Sequence, residues 1–595
     1  MPPATLIDFA RVNDSAAATT KKLQKQAVLA EYFRALDEQD LRRAVRFCGG
    51  RAFASTDERV LNVGGTLVSD VVLSSVLHIS ASEYWEVVTR SGEIGNALAE
   101  LWPRRAVPAP EGAAPLTLAG IADGFDDLAA TGAWENKSDF LRTLFARCTD
   151  PREAAYLAKI IFGDLRTGVQ EGVLQAAIAQ AFGKPLADVQ RCQLLVGDLD
   201  EVAVLARNDA LDAARFRLFH PIQFMLATPQ ETAEDAAVTL NGRKFYAEDK
   251  LDGIRAQVHK SGGTGHAARV HVYTRTMDRQ DESFPDVVEA VAQLPGEFLL
   301  DGEIVPYRDG VVLPFAHIQK RLGRKVLTQK ILRDNPAAFI AFDVLYRDGQ
   351  LLMDCPLRVR REALLALCGG DERVTDGNGK IEGCAPKLLF SQVTQVQTAQ
   401  DITAHFQAAR ERRNEGTVLK DPESCYSPGR RGKMWLKIKT HLPTFDCVVT
   451  AAEYGHGKRR NSLSDYTFAV WDREPAEEGA QLVNVGKAYS GVTDLEIAQL
   501  TELFHTISLK RVGHVHVVRP QVVLEIACDQ IQKSNRHASG YALRFPRIKG
   551  IRWDKRPEDA DRLARIVEIY QSTANTARQK EAEPAPVRRE PTLFD

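Results

Sequence analysis

The chain has 595 residues, of which 44% are hydrophobic and 26% charged, and its formal net charge is −2. These values fit a soluble globular protein of three or four domains and exclude a uniformly basic surface, so any nucleic-acid site must be a local patch. The nine cysteines form no C-x-x-C pair, and the sequence has no signal-peptide pattern, no membrane-length apolar run, no G-x-x-x-x-G-K-[ST] loop and no H-E-x-x-H; a disulfide framework, a zinc ribbon, P-loop and zincin chemistry are thereby disfavoured, and a reducing cytoplasm is expected.

Residues 1 to about 210 are predicted to be helical. Leu141, Leu144, Phe145 and Cys148 recur at helical spacing behind Ser138 as an expected N-cap. Pro151 follows Asp150 as a first helical residue, and Gly163, Gly183 and Gly49-Gly50 are placed to stop helices. The turn Gly163-Asp164-Leu165-Arg166-Thr167-Gly168 is basic enough to meet a phosphate, although composition alone favours an ordinary solvated turn. The segment from His220 to Pro229, flanked by prolines, reads as a linker. β-rich runs follow at 270–273, 298–305 and 339–346, interrupted by helical stretches at 285–293 and 358–367, which predicts a mixed α/β domain to about residue 441. After Pro443 the runs at 446–451, 466–471, 482–489 and 522–526 are β-like, with one helix announced by Thr493 and Glu496 as a capping box. Strands plus one helix suit a small OB-type barrel. From about 572 the chain is polar and proline-bearing, and disorder is expected.

The chemically loaded stretch is Glu248-Asp249-Lys250-Leu251-Asp252-Gly253-Ile254-Arg255. At average residue usage, Lys-x-Asp-Gly-x-Arg arises by chance about 0.01 times in a chain of this length. It reads either as a strand ending in an Asp-Gly turn or as a nucleophilic lysine between carboxylates. Alternation would aim Glu248 and Lys250 at one site, and likewise Asp301 and Glu303. Acids among apolar neighbours need a partner or a cation such as Mg²⁺. Phe342 reads as a core residue or as a platform for a purine. Glu415 opens another strand, and the run from Gly429 to Lys439 has five basic residues and no acid. Lys437 and Lys439 share one face there, and alternation around Trp435 and Ile438 points them at an anionic site. The run from Arg544 to Arg556 sets six cations against one acid, a second patch for phosphate.

In this order the motifs resemble those of the ATP-dependent DNA ligases, members of the covalent nucleotidyltransferases: Lys250-x-Asp252-Gly253-x-Arg255, Tyr273-Thr274-Arg275, Asp301-Gly302-Glu303, Phe342-Asp343, Glu415-Gly416 and Trp435-Leu436-Lys437-Ile438-Lys439, with the 544–555 segment as the last motif. The resemblance runs from about 130 to 556, and Gly163 to Val169 is similar to the family's helical DNA-binding domain. Thr417 departs from the family in replacing an aliphatic residue.

The resemblance implies a multidomain fold: an all-α DNA-binding domain at 1–212, an α/β, antiparallel-sheet nucleotidyltransferase (adenylation) domain at 213–441, a β-barrel OB-fold domain at 442–556, and a C-terminal helix with a disordered tail at 557–595. It implies nick sealing in duplex DNA for repair, replication and recombination, by a cytoplasmic, nucleoid-associated monomer using ATP and Mg²⁺ (or Mn²⁺). Lys250 would carry AMP, Glu248 would accept from the adenine amino group, and Phe342 would stack on the base. Arg255 and Arg275 suit the ribose side and the nick 5′-phosphate, Lys437 and Lys439 the α-phosphate, Glu303 and Glu415 the metal, and Arg552 the pyrophosphate. An RNA ligase or capping-type nucleotidyltransferase is the rival, disfavoured by the helical N-terminal third. A catalytically inactive nucleic-acid clamp is a second, disfavoured by the full set of Lys250, Glu303, Glu415 and Lys437. The terminal Leu593-Phe594 pair reads either as two incidental apolar residues on a free tail or as a short docking motif; it resembles peptides that bind bacterial sliding clamps, without their leading glutamine.

Overall fold

Twelve α-helices, from Leu6–Ala17 to Leu199–Arg207, precede the first strand among the described residues. The computed structural model describes residues 2–571 apart from 109, 111, 113, 132–133, 309–310, 325, 369–382, 386–387, 413, 440–443, 456–458 and 460–461. The expected tail, with Leu593 and Phe594, lies outside the described residues. The chain forms two units, Met1–Ile438 and Lys439–Asp595.

Local signals set the helix ends. Asp150 and Glu153 form a capping box around Pro151, and Gly163 and Gly183 close their helices at φ of 75° and 63°. Ser138 is not an N-cap: it lies inside the helix Trp134–Ala146. That helix starts a turn earlier because Lys137 joins its buried face, its ammonium donating to the Leu61 carbonyl at 2.8 Å. The basic turn after Gly163 is fastened from below, where the buried Lys25 ammonium donates to the carbonyls of Thr167 and Ala16.

The segment from His220 to Pro229 is packed and is not a free linker. Ile222, Phe224 and Met225 are buried, and the Gln257 amide exchanges two hydrogen bonds with the Ile222 backbone, at 3.0 and 2.7 Å. Its apolar residues are too many for a solvated connection.

The remainder of this unit is built on thirteen strands: β1 (Leu226–Pro229), β2 (Phe245–Lys250), β3 (Ile254–Gly262), β4 (Ala268–Thr274), β5 (Phe298–Arg308), β6 (Val311–Val312), β7 (Ala337–Arg347), β8 (Gln350–Leu351), β9 (Gly383–Ala385), β10 (Leu388–Phe390), β11 (Thr394–Val396), β12 (Gly416–Lys420) and β13 (Arg431–Lys439). They make two largely antiparallel sheets, one ordered β1-β13-β12-β2-β11 and the other β4-β3-β5-β7-β10-β9. The chain changes sheet between β2 and β3, in the three residues Leu251, Asp252 and Gly253. The helices Pro285–Ala292 and Leu357–Cys368 appear where apolar spacing placed them. Ala233–Leu240 and Ala399–Glu411 were not foreseen; their capping boxes use aspartate in place of glutamate.

The second unit holds β14 (Phe445–Tyr454), β15 (Leu463–Trp471), β16 (Leu482–Ala488), β17 (Ser508–Val512), β18 (Val515–Val518), β19 (Val523–Ala527), β20 (Gln530–Lys533), β21 (Tyr541–Arg544) and β22 (Arg547–Ile551). Seven of them form one antiparallel sheet and β20 pairs with β21. The helix Asp494–Thr506 carries the expected Thr493–Glu496 capping box and closes one side of the core. The short strands β17, β18 and β20 to β22 escaped a reading based on apolar alternation.

One buried ion pair ties the larger sheet to its covering helix. Arg360 grips Asp343 of β7 at 2.7 and 2.9 Å, and both side chains are fully buried. The same guanidinium donates to the carbonyls of Cys355 and Ser424. Arg360→Ala would strand a buried carboxylate, and a loss of about 3–5 kcal/mol is expected in denaturant titrations. Arg358→Ala, which frees the exposed Glu423, should cost less than about 1 kcal/mol in the same measurement.

Candidate active site

β2 and β12 run antiparallel with Lys250 opposite Gly416 and Glu248 opposite Val418. This register brings Glu415 to the end of β2. Its backbone N–H donates to the Lys250 carbonyl at 2.7 Å, and its carboxylate is ion-paired with the Lys250 ammonium. On the other side of Lys250 the chain turns into β3. A Cβ at Gly253 would lie 2.4 Å from the Ile304 carbonyl oxygen and 2.7 Å from Cγ of Glu303, so only glycine lets this turn rest against β5. β3 then pairs with β5 with Arg255 opposite Glu303. Two sheets thus deliver two carboxylates to one lysine. The Glu303 carboxyl makes no hydrogen bond or ion pair with the described residues, and burial pushes it up to about 8 against the opposing pull of Lys250 and Arg255.

Arg255 lies under three rings, with its guanidinium carbon 4.9 Å from the centroid of Phe224, 5.2 Å from Phe342 and 5.6 Å from Trp435. It is bidentate on Asp301, at 3.1 and 2.7 Å, and the Tyr426 hydroxyl donates to the same carboxylate. Asp301 and Glu303, expected to act together, are divided in task. Asp301 is sequestered by Arg255 and Tyr426, and the strand carries a register shift against β7 between Asp301 and Gly302. Burial holds the Tyr426 hydroxyl well above its ordinary range.

Glu248 is buried and paired at 2.8 Å with Lys420, which is equally buried. The Lys420 ammonium stands 4.0 Å from the Phe342 ring centroid and 4.5 Å from that of Trp435, and burial lowers its pKa. The buried indole N–H of Trp435 has no acceptor among the described residues. Sequence reasoning missed Lys420 and Tyr426. The signal for Lys420 was its place on β12, one diagonal step from Glu248 once the register is known.

The remaining expected residues are dispersed. Lys437 lies on β13, two residues beyond Trp435 and so on the same face. Arg275 follows β4, exposed and without a polar partner among the described residues. Lys439 opens the second unit, where its ammonium and Arg547 both contact Asp529 at 2.8 Å. Arg552, in that unit, pairs with Asp554 at 2.7 Å and Asp446 at 3.2 Å.

No group of three or more His, Cys, Asp or Glu among the described residues could hold a metal unaided. Glu303 and Glu415 nevertheless suit Mg²⁺ or Mn²⁺ as oxygen donors, since Mg²⁺ is commonly held by one or two carboxylates together with waters and substrate phosphates. The half-buried Glu303 carboxyl, which makes no hydrogen bond or ion pair among the described residues, is the observation that fits: a cation beside it would relieve its desolvation.

Among the described residues no helix is long and apolar enough to cross a membrane. Models of the DNA ligase N terminus, the ATP dependent DNA ligase domain and the ATP dependent DNA ligase C terminal region match residues 5–179, 224–439 and 459–555. The chain is 42% identical to a probable DNA ligase of Koribacter versatilis, over 95% of this chain and 96% of that protein. It is 33% identical to a DNA ligase of Thermococcus fumicolans, over 93% and 96%. A solved structure named Pmar-Lig_PreS3 shares the fold across 91% of this chain and 99% of its own, with a TM-score of 0.55 at 15% identity. Matched by three successive domain models and aligned over nearly the whole of these two relatives, the chain belongs to the ATP-dependent DNA ligase family.

Proposed function

We propose that this DNA ligase seals nicks in duplex DNA through Lys250, and that the residues gathered around Lys250 serve the nucleotide. The observation that carries this reading is the placement of Lys250 between Glu415, its ion-pair partner, and Glu303 across the Gly253 turn. In the first step the Lys250 amine attacks the α-phosphorus of ATP. An N–P bond forms, the P–O bond to pyrophosphate breaks, and the proton leaves through the Glu415 carboxylate beside it. AMP then passes to the 5′-phosphate of the nick, and the 3′-hydroxyl displaces it to close the strand. Glu303 and Glu415 would hold Mg²⁺ or Mn²⁺, which supplies charge neutralisation on the phosphate oxygens when bound. Lys437 and Lys439 suit the α-phosphate, and Arg552 the pyrophosphate. Arg275 suits the nick 5′-phosphate, and Arg255, fixed by Asp301, shapes the ribose side.

Base selection follows from the Glu248–Lys420 pair. A carboxylate acceptor beside an ammonium donor matches the adenine edge, which offers an amino donor and an N1 acceptor; guanine offers the reverse order. Phe342, adjoining the pair, suits stacking on the base.

The boundaries 1–212, 213–441, 442–556 and 557–595 are proposed for the four segments, supported by the spans of the matched domain models. We place the enzyme in the cytoplasm as a monomer, with its tail docking on a sliding clamp through Leu593 and Phe594.

Three outcomes test this reading. Lys250→Ala should abolish protein labelling by α-labelled ATP and still seal pre-adenylated nicks weakly; normal labelling would refute the assignment. Lys420→Met, similar in size but unable to pair with Glu248, should cut ATP-dependent labelling at least tenfold and narrow the preference for ATP over GTP, because the unpaired acid is left buried; an unchanged ATP/GTP ratio would remove the pair from base selection. A peptide of residues 588–595 should bind the host's clamp in a titration, and the same peptide carrying Leu593→Ala and Phe594→Ala should not.

A further inference from the structure

Asp249 sits between Glu248 and Lys250, and strand alternation turns it to the reverse face of β2. Three groups converge on it there. Arg412 grips it with two hydrogen bonds of 2.8 and 2.7 Å, and the Asn414 amide donates at 2.8 Å. His405 reaches within 3.8 Å through Nε2, while its Nδ1 is 3.0 Å from the hydroxyl of Thr417, the residue opposite Asp249 on β12. These partners come from the helix Ala399–Glu411, from its exit, and from β12. That exit is the connection that delivers Glu415.

We infer that Asp249 is a positioning residue, which fixes the Glu415 carboxylate relative to Lys250 from the side of the strand turned away from the reaction. The connection is held at several points. Arg412 caps the helix and is anchored on Asp249. The Asn414 N–H donates to the Ala409 carbonyl at 3.0 Å, and the Asn414 carbonyl accepts from Arg410 at 2.9 Å. Glu415 follows at once and donates its own N–H to Lys250. One strand therefore meets the connection twice, through the Asp249 side chain and through the Lys250 backbone. With the Asp249 anchor removed, the connection could slide along β2, and the distance from Glu415 to Lys250 would no longer be set. As an exposed salt bridge the Arg412 contact would contribute little to stability. Its consequence is geometric, and a displacement of about 1 Å in a catalytic group can cost roughly a hundredfold in rate. The inference rests on the reading above, in which Glu415 and Lys250 act in one step.

A double-mutant cycle tests it. Single-turnover self-adenylation with α-labelled ATP is measured for the full-length enzyme, for Asp249→Ala, for Glu415→Gln and for the double variant, across a Mg²⁺ series. Asp249→Ala should slow the reaction roughly tenfold to a hundredfold and raise the half-saturating Mg²⁺ concentration. Asp249→Asn, which keeps one acceptor for Arg412, should lose less. In the Glu415→Gln background the Asp249 substitution should cost almost nothing further, since what it positions is gone. An equal fold-loss in both backgrounds, or an unaltered rate for Asp249→Ala, would overturn the inference. If Glu415→Gln alone reacts at the wild-type rate, the fault lies with the reading of Glu415. Should Asp249→Ala fail to fold, Arg412→Gln takes its place in the same cycle, with the same expected and overturning outcomes.

Discussion

A side chain at residue 253 would overlap the main chain of β5, and the site exists because that atom is missing. The close approach lets three residues carry the chain from one sheet to the other. On one side of the crossing is the lysine; on the other is Arg255, paired in register with Glu303. Had the crossing been a residue longer or the contact looser, Lys250 would answer to one sheet only, and Glu303 and Glu415 would not meet around it. Backbone packing at one glycine thus sets the spacing that the chemistry needs.

Concentrating charge in so small a volume requires compensation, and it is unevenly distributed. Arg255, Asp301 and Tyr426 satisfy one another, as do Glu248 and Lys420, and aromatic faces cover both cations. These groups bear the desolvation of burial because each has its partner. Glu303 has none among the described residues, and burial raises its pKa against the pull of Lys250 and Arg255. Asp301 and Glu303 are two residues apart on one strand, yet the first is held by Arg255 and Tyr426 and the second has no such partner among the described residues.

Much of this was legible in the sequence. Lys250, Glu303, Glu415 and Phe342 were marked by motif spacing, and the helix stops at Gly163 and Gly183 by chemistry that acts within a few residues. Features that depend on strand register were hidden. Lys420 gave no sign of meeting Glu248, because the pairing of β2 with β12 joins segments 172 residues apart. Prolines at both ends of the segment 220–229 predict a linker, and the burial of Ile222, Phe224 and Met225 shows that the apolar residues between them decide. Ser138 lies inside its helix and does not cap it; the buried lysine beside it does not register in an apolar count.

The partner of Lys250 lies 165 residues further along the chain, and this separation bears on the enzyme's birth. At a synthesis rate of roughly 5–20 residues per second, β12 leaves the ribosome on the order of 10–30 s after the lysine does. During that interval β2 has no neighbour to deliver Glu415, and the nascent chain carries the lysine without the site. Competence arrives late and all at once, when a long loop closes. On the role proposed for Lys250, labelling by nucleotide would count molecules in which β2 and β12 have paired.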